Sequence, residues 1–296
     1  MKIIVLFPIF TLATNWLKIV DQDLENLCSS RNLDRTQQKL CKNHFRFAPA
    51  IKHASKSTLR DCSEIMKNSR WGCQKMTLPE LKSTSAESSF IRALSTAELT
   101  NSVFRLCQTG TVGECDKIFI NGFVREFLDA PSIRRKSHSE AKMDVHNSKI
   151  GRKVTWESKK QICKCHGTSG SCSVKSCWET APQKDEINRK LGEKYSTAVK
   201  VDSRTISHVA VDDRLVFNGL NDHLIFTAPR RSFCATTRGR KCEVMKNGEN
   251  SCKNMCCGRG FIETRKTVLD EVCKFIWPSS IQCTPIFKTV KKFVCK

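Results

Sequence analysis

The sequence predicts an α+β fold: an α-helical N-terminal domain with disulfide-clamped β-hairpins, and a small cystine-rich β-hairpin C-terminal domain. Three observations carry this. Apolar residues recur at helical spacing in 86–107 and 182–199. Four cysteines crowd into 163–177 around a Gly/Ser-rich stretch. Eight more fall in 234–295, a stretch too short to build much of a hydrophobic core, so that cross-links are expected to hold it together.

In chain order, residues 1–13 read as a secretory signal peptide. Met1-Lys2 is a short basic start, Ile3 to Leu12 is almost wholly apolar, and Thr11-Leu12-Ala13 is a small-residue cleavage site. The competing reading is a buried N-terminal strand. The run is far short of the ~20 residues that span a bilayer. Residues 14–224 form the helical domain, 225–233 a linker, and 234–296 the cystine-rich domain.

Within the helical domain, Phe90, Leu94, Ala97 and Phe104 share a face with Ile91 beside them, and Thr84 with Glu87 makes a possible capping box. A second helix is expected over 182–199, with Pro182 in its first turn and Ile187, Leu191, Tyr195 and Val199 spaced by four. Both patterns indicate core packing. Residues 133–160 hold nine Lys/Arg against three acids with little apolar periodicity, which reads as a solvated or partly disordered loop and as a candidate glycan-binding patch.

Eighteen cysteines in 296 residues, an even count, indicate an oxidising compartment. The net charge of +22 attracts polyanions. Outside the cell these are sulfated glycans such as heparan sulfate, not nucleic acid. The expected location is therefore the extracellular space and matrix.

The segment Cys163-Lys-Cys165-His166-Gly167-Thr168-Ser169-Gly170-Ser171-Cys172, continued by Ser-Val-Lys-Ser-Cys177-Trp178, admits three chemistries. Metal binding fits poorly, because Cys-x-Cys is tighter than the Cys-x2-Cys spacing zinc pairs use. A serine hydrolase using Ser169 and His166 would need Gly-x-Ser-x-Gly on a strand-to-helix elbow, and Ser171 stands where the second glycine belongs. A disulfide-clamped hairpin fits best. Gly167 and Gly170 would relax the tip backbone, and Ser169 would be held out as the substrate of a modifying enzyme. No catalytic residue, metal or diffusible cofactor is expected.

This segment resembles the signature of the Wnt family of secreted signalling ligands. Three further motifs agree: Arg70-Trp71-Gly72 between Cys62 and Cys73, Cys256-Cys257-Gly258-Arg259-Gly260, and the terminal Cys295-Lys296. The resemblance runs from about Cys28 to the last residue. It implies disulfides Cys62–Cys73, Cys107–Cys115, Cys163–Cys177 and Cys165–Cys172 in the first domain. In the second it implies Cys234–Cys257, Cys242–Cys252, Cys256–Cys295 and Cys273–Cys283, leaving Cys28 for Cys41. The sequence departs from the pattern at Glu271 and Ile286, at Pro278-Ser279, and at Lys117 with a position in 123–132, where cysteine pairs of the family are missing.

The resemblance also implies a function: a secreted ligand that binds Frizzled-type receptors and triggers Wnt signalling in development. Ser169 would be esterified by a membrane acyltransferase with a monounsaturated, palmitoleoyl-type chain. That chain would need a secretion carrier and would lie in a groove of the receptor's cysteine-rich domain. His166, Gly167, Thr168 and Gly170 would make the first receptor contact. Phe275, Trp277, Pro278, Ser279, Ser280 and Ile281, on a hairpin closed by Cys273 and Cys283, would make the second. The alternative for Trp277 is packing inside its own domain. A co-receptor of the LRP type is implied without assignable residues. Heparan sulfate would meet the 133–160 stretch and Arg230-Arg231. The alternative function is a cationic glycan-binding matrix protein that keeps the fold without activating a receptor.

Overall fold

A computed structural model describes residues 15–73, 84–113, 115–207, 219–244, 248 and 250–296. The signal peptide expected at 1–13 lies outside the described residues. The chain divides into two compact units, Met1–Ile65 with Cys73–Arg230, and Met66–Gly72 with Arg231–Lys296.

The first unit is helical. It runs α1 (Leu24–Leu27), α2 (Arg35–Asn43), α3 (Ala48–Ile65), α4 (Ala86–Gln108), α5 (Lys117–Arg135) and α6 (His138–Glu157). The hairpin β1 (Lys160–Cys165) and β2 (Lys175–Thr180) follows, then α7 (Lys184–Ser196), β3 (Val199–Lys200), α8 (Ser203–Ser207) and β4 (Ile225–Phe226).

Helix α4 is the axis of this unit. Residues Ala86 to Val103 are buried all round, as expected of a helix enclosed by others. Its cap is Ser85, which accepts from the Ser88 backbone N–H at 3.1 Å, one residue after the expected Thr84. The Thr84 carbonyl instead accepts from the backbone of Thr227 and Ala228. Helix α7 is shorter than expected. Pro182 lies ahead of its cap Gln183, Ile187 and Leu191 are buried, and Val199 belongs to β3.

The loop expected over 133–160 is not there. The stretch is the end of α5, all of α6, capped by Ser137 and buried over most of 141–155, and the first residue of β1. Several of its charges are paired inside the unit, while Arg134, Lys149, Lys159 and Lys160 stay exposed. Arg152 donates to Asp129 at 2.9 Å, Lys136 lies 2.7 Å from Asp144, and Ser132 donates to Asp144 at 2.8 Å while accepting from Arg92 at 2.6 Å. Burial alone would raise the Asp144 carboxyl; Arg92 and Lys136, with hydrogen bonds from Lys136 and Ser132, hold it below the usual carboxylate range. Lys142 and Arg152 are therefore buried and cannot serve a glycan patch. Gly151 lets α6 approach α4: a Cβ there would sit 2.1 Å from the Ala93 carbonyl oxygen.

Ile225 and Phe226, at the start of the expected linker, form a buried strand instead. It pairs in parallel with β3, and Asn147 of α6 both donates to and accepts from the Ile225 backbone at 3.0 Å.

The second unit holds β5 (Lys241–Cys242), α9 (Cys252–Met255), β6 (Phe261–Ile276) and β7 (Ser280–Cys295), with sheet order β5-β7-β6. Its core is Cys242, Cys252, Met255, Cys256 and Cys295, with Phe293 against it. Cystine thus fills the place of aliphatic side chains. Met66–Gly72 completes this unit. Arg240 donates to the carbonyls of Arg70 (3.1 Å) and Lys67 (2.9 Å), and Arg70 donates to the Asn254 carbonyl at 3.0 Å.

Candidate functional site

The structure pairs Cys28 with Cys41, Cys62 with Cys73, Cys107 with Cys115, Cys163 with Cys177 and Cys165 with Cys172. In the second unit Cys234 pairs with Cys257, Cys242 with Cys252, Cys256 with Cys295 and Cys273 with Cys283. No cysteine is free. The clusters with ligand-like geometry, Cys242/Cys256/Cys295 and Glu271/Cys273/Cys283, are made of sulfurs already oxidised to disulfides, with one carboxylate.

Two of these bonds shape the hairpin β1–β2. Cys163 faces Cys177 across the ladder, and Cys165–Cys172 closes the loop above it. The tip is folded tightly by its own backbone. His166 N–H donates to the Val174 carbonyl (2.7 Å), Gly167 N–H to Ser171 (2.8 Å), Gly170 N–H to Gly167 (2.9 Å) and Ser171 N–H to Thr168 (3.1 Å).

Ser169 stands at the apex with φ 56° and ψ 26°, a left-handed conformation, and Gly170 follows at φ 77°. A non-glycine residue pays about 1–2 kcal/mol for that geometry, so the clamps must hold it there. The glycines serve different ends. Gly170 supplies a positive φ. Gly167 has an ordinary φ of −68° and supplies space: a Cβ there would lie 2.1 Å from Ser171 Oγ and 2.5 Å from its carbonyl oxygen.

The Ser169 side chain is exposed, and among the described residues no hydrogen bond reaches its hydroxyl. His166 is exposed and makes no side-chain hydrogen bond to it. Both strands of the hairpin are solvent-facing, unlike the buried strand that leads into a nucleophile elbow. The arrangement presents a hydroxyl outward; it does not activate one.

The root of the hairpin is fastened to the helices by residues that carry no signal in the local sequence pattern. Gln108 donates to the Glu179 carbonyl (2.7 Å) and accepts from the Ala181 N–H (3.2 Å), and Arg105 donates to the Pro182 carbonyl (2.6 Å). Lys184 donates to Ser57 Oγ at 2.6 Å and lies 3.6 Å from Asp61 and 3.7 Å from Glu98. Glu98 is fully buried. Burial pushes its carboxyl up to about 7 against the pull of Lys184, and the neighbouring Asp61 adds to the rise.

The second candidate surface is the tip of β6–β7. Cys273–Cys283 closes the register, Phe275 faces Ile281, Ile276 faces Ser280, and Trp277-Pro278-Ser279 makes the turn through a cis Trp277–Pro278 bond. Trp277 is 84% exposed, so it is not packed inside its own unit. Glu271 faces Pro285 and Ile286 faces Asp270, which puts Glu271 and Ile286 on opposite faces of the ribbon.

Among the glycan candidates, Arg230 stacks over Phe226 (5.0 Å) and Tyr195 (5.6 Å), and Arg231 over Phe233 (5.4 Å).

A model of the Wnt family matches residues 29–118 and 116–296. Wnt-11 of Xenopus laevis is 31% identical, covering 93% of this chain and 88% of that protein. Wnt-11 of Gallus gallus is 30% identical (88% and 85%), and Wnt-16 of Mus musculus 28% (91% and 87%). A chain of the solved complex of human WLS with WNT8A shares the fold at a TM-score of 0.67 and 23% identity, covering 97% of this chain and 100% of that one.

Proposed function

The chain belongs to the Wnt family of secreted signalling ligands, and from that membership we propose that it acts by carrying an acyl chain on Ser169 into the groove of a Frizzled-type cysteine-rich domain. One observation carries this reading. Ser169 is the exposed apex of a doubly cross-linked loop, held in a left-handed conformation with its hydroxyl unengaged. A membrane acyltransferase needs such a protruding acceptor.

The energetics are adequate. Burial of about a dozen methylenes at ~0.8 kcal/mol each sets an upper bound of roughly 10 kcal/mol, the scale of micromolar-or-better binding. His166, Gly167, Thr168 and Gly170 flank the acyl oxygen and would line the first receptor contact. Trp277, with Phe275 and Ile281 behind it, Pro278 and Ser279 in the turn and Ser280 at the start of β7, would make the second. Exposed Trp anchors are enriched at binding hot spots.

A free acyl chain in water is unfavourable and calls for a secretion carrier; the fold shared with a chain of the WLS–WNT8A complex supports a carrier of that kind. An LRP-type co-receptor belongs to the same reading. The net charge of +22 favours retention on heparan sulfate in the matrix, with Arg230 and Arg231 as contacts. That retention must weaken with salt.

The test is mass spectrometry of secreted, signalling-competent protein. A Ser169 peptide carrying a monounsaturated acyl ester is expected. An unmodified Ser169 peptide in active material overturns the proposal, and heparin binding without receptor stimulation would leave the matrix-protein reading in its place.

A further inference from the structure

Exposed apolar side chains are concentrated on one element. Among the described residues eighteen large apolar side chains are exposed, and ten of them run from Phe261 to Phe287. Strand β5 pairs with β7 only at Val294 and Phe293, so from there outward β6 and β7 pair only with each other. A two-stranded ribbon is marginally stable on its own. A patch of this extent calls for an apolar neighbour.

The register sorts the ribbon into two faces. One carries Leu269 opposite Phe287, Pro285 opposite Glu271, the Cys273–Cys283 bond, and Phe275 opposite Ile281. Leu269 is 62% exposed and Phe287 81%. The other face mixes Val272, Ile276 and Ile286 with Lys266, Lys274, Lys288 and Lys292 and the single acid Asp270. Across 261–296 there are seven Lys/Arg against three acids. Glu271 is the one acid on the apolar face between Leu269 and the tip.

A receptor contact at Trp277 does not account for Leu269 and Phe287. Eight residues separate Leu269 from Trp277, about 26 Å of strand. An apolar row of that length with a cationic back matches a planar interface rather than a pocket. We propose that this face of the β6–β7 ribbon, below the receptor-contact tip, lies on the surface of an anionic phospholipid bilayer, with Leu269 and Phe287 in the headgroup–acyl boundary. A ribbon is one layer thick, so the lysines on its back stay within about 10 Å of the headgroup charge, one Debye length. No helix among the described residues is long and apolar enough to cross a membrane, and the seating is peripheral. It is independent of acylation. Since a single acyl chain holds a protein to a bilayer only marginally, the ribbon would also be the second signal that stable attachment needs.

The experiment is vesicle flotation with full-length secreted Ser169→Ala protein, which has no acyl ester at that position. Phosphatidylcholine vesicles with and without phosphatidylserine are compared, over a salt series. Binding that requires phosphatidylserine and weakens with salt is expected, and Leu269→Thr/Phe287→Thr should lower it at least about tenfold. Intact mass with all cysteines oxidised certifies the variants. Should the double variant fail to be secreted, Phe287→Trp supplies the readout, its fluorescence being quenched by brominated lipid. Equal flotation of the double variant, or an unquenched Trp at 287, overturns the proposal. So does self-association that the double variant abolishes without any flotation of the parent, which would assign the face to a second copy.

Discussion

The ammonium of Lys184 stands 3.7 Å from the carboxylate of Glu98, a side chain with no solvent exposure, at the root of the hairpin that bears Ser169. Asp61, 3.6 Å from the same ammonium, completes the group, with Arg60 and His53 nearby on α3, Arg105 on α4 and Ser57 accepting from Lys184. Asp61 also accepts from Arg60 Nε at 2.8 Å, which leaves Lys184 as the nearest cation to the buried Glu98.

The pH dependence follows. Glu98 keeps its proton to about pH 7 in the folded chain, against an ordinary value of 4.5. Between those limits the folded state binds more protons than the unfolded one. Stability from this group is fully present below 4.5, falls as pH rises, and is lost above about 7. The slope is at most about 1.4 kcal/mol per pH unit. Denaturant titrations at pH 5 and pH 8 should show the decline in the parent and a flatter response in Glu98→Gln. Identical slopes would assign it to other groups.

Gly151→Ala should damage the first unit. The added methyl meets the Ala93 backbone carbonyl at 2.1 Å, and two packed helices cannot yield as a flexible side chain does. A loss of about 1–3 kcal/mol is expected, read as a lowered melting temperature and reduced secretion. An unchanged melting temperature would mean that α4 and α6 separate without cost.

Gly167→Ala tests the tip alone. Its Cβ would meet Ser171 Oγ and the Ser171 carbonyl, so the turn beneath Ser169 must open. The acylated fraction of Ser169 peptide should fall severalfold while the melting temperature holds. Full acylation would show that the modifying enzyme does not require this loop shape.

Trp277→Ala should weaken binding to a Frizzled-type cysteine-rich domain by roughly 30-fold, the scale of a hot-spot aromatic, and leave secretion unaffected, because Trp277 is 84% exposed. Parallel loss of secretion would make it structural. Surface-plasmon titration against the receptor domain, with secreted yield alongside, separates the outcomes.

The helices around 86–107 and 182–199 were legible because a core-facing stripe repeats with the helical period, and Phe90, Leu94, Ile187 and Leu191 are buried as that repeat requires. Helix α6 was not legible. Lys142, Asp144 and Arg152 are buried against partners on other elements, so a polar, aperiodic stretch hides a core helix. The same blindness covered Glu98, Asp61 and Lys184, which are far apart in sequence and meet only in the fold. It also covered Met66–Gly72, whose carbonyls are claimed by Arg240.

By itself the sequence determined the local chemistry: an oxidised chain, two helical stripes, and a serine amid glycines and cysteines that reads as a presented hydroxyl. Local spacing suffices for these, because each depends on residues within a few turns of one another. Tertiary structure alone decided that Ser169 is held at positive φ, that Gly167 supplies space rather than backbone freedom, and which charges are buried. The first two depend on the folded geometry of the cross-linked loop and the last on atoms from distant parts of the chain, and their energies exist only once those neighbours have arrived.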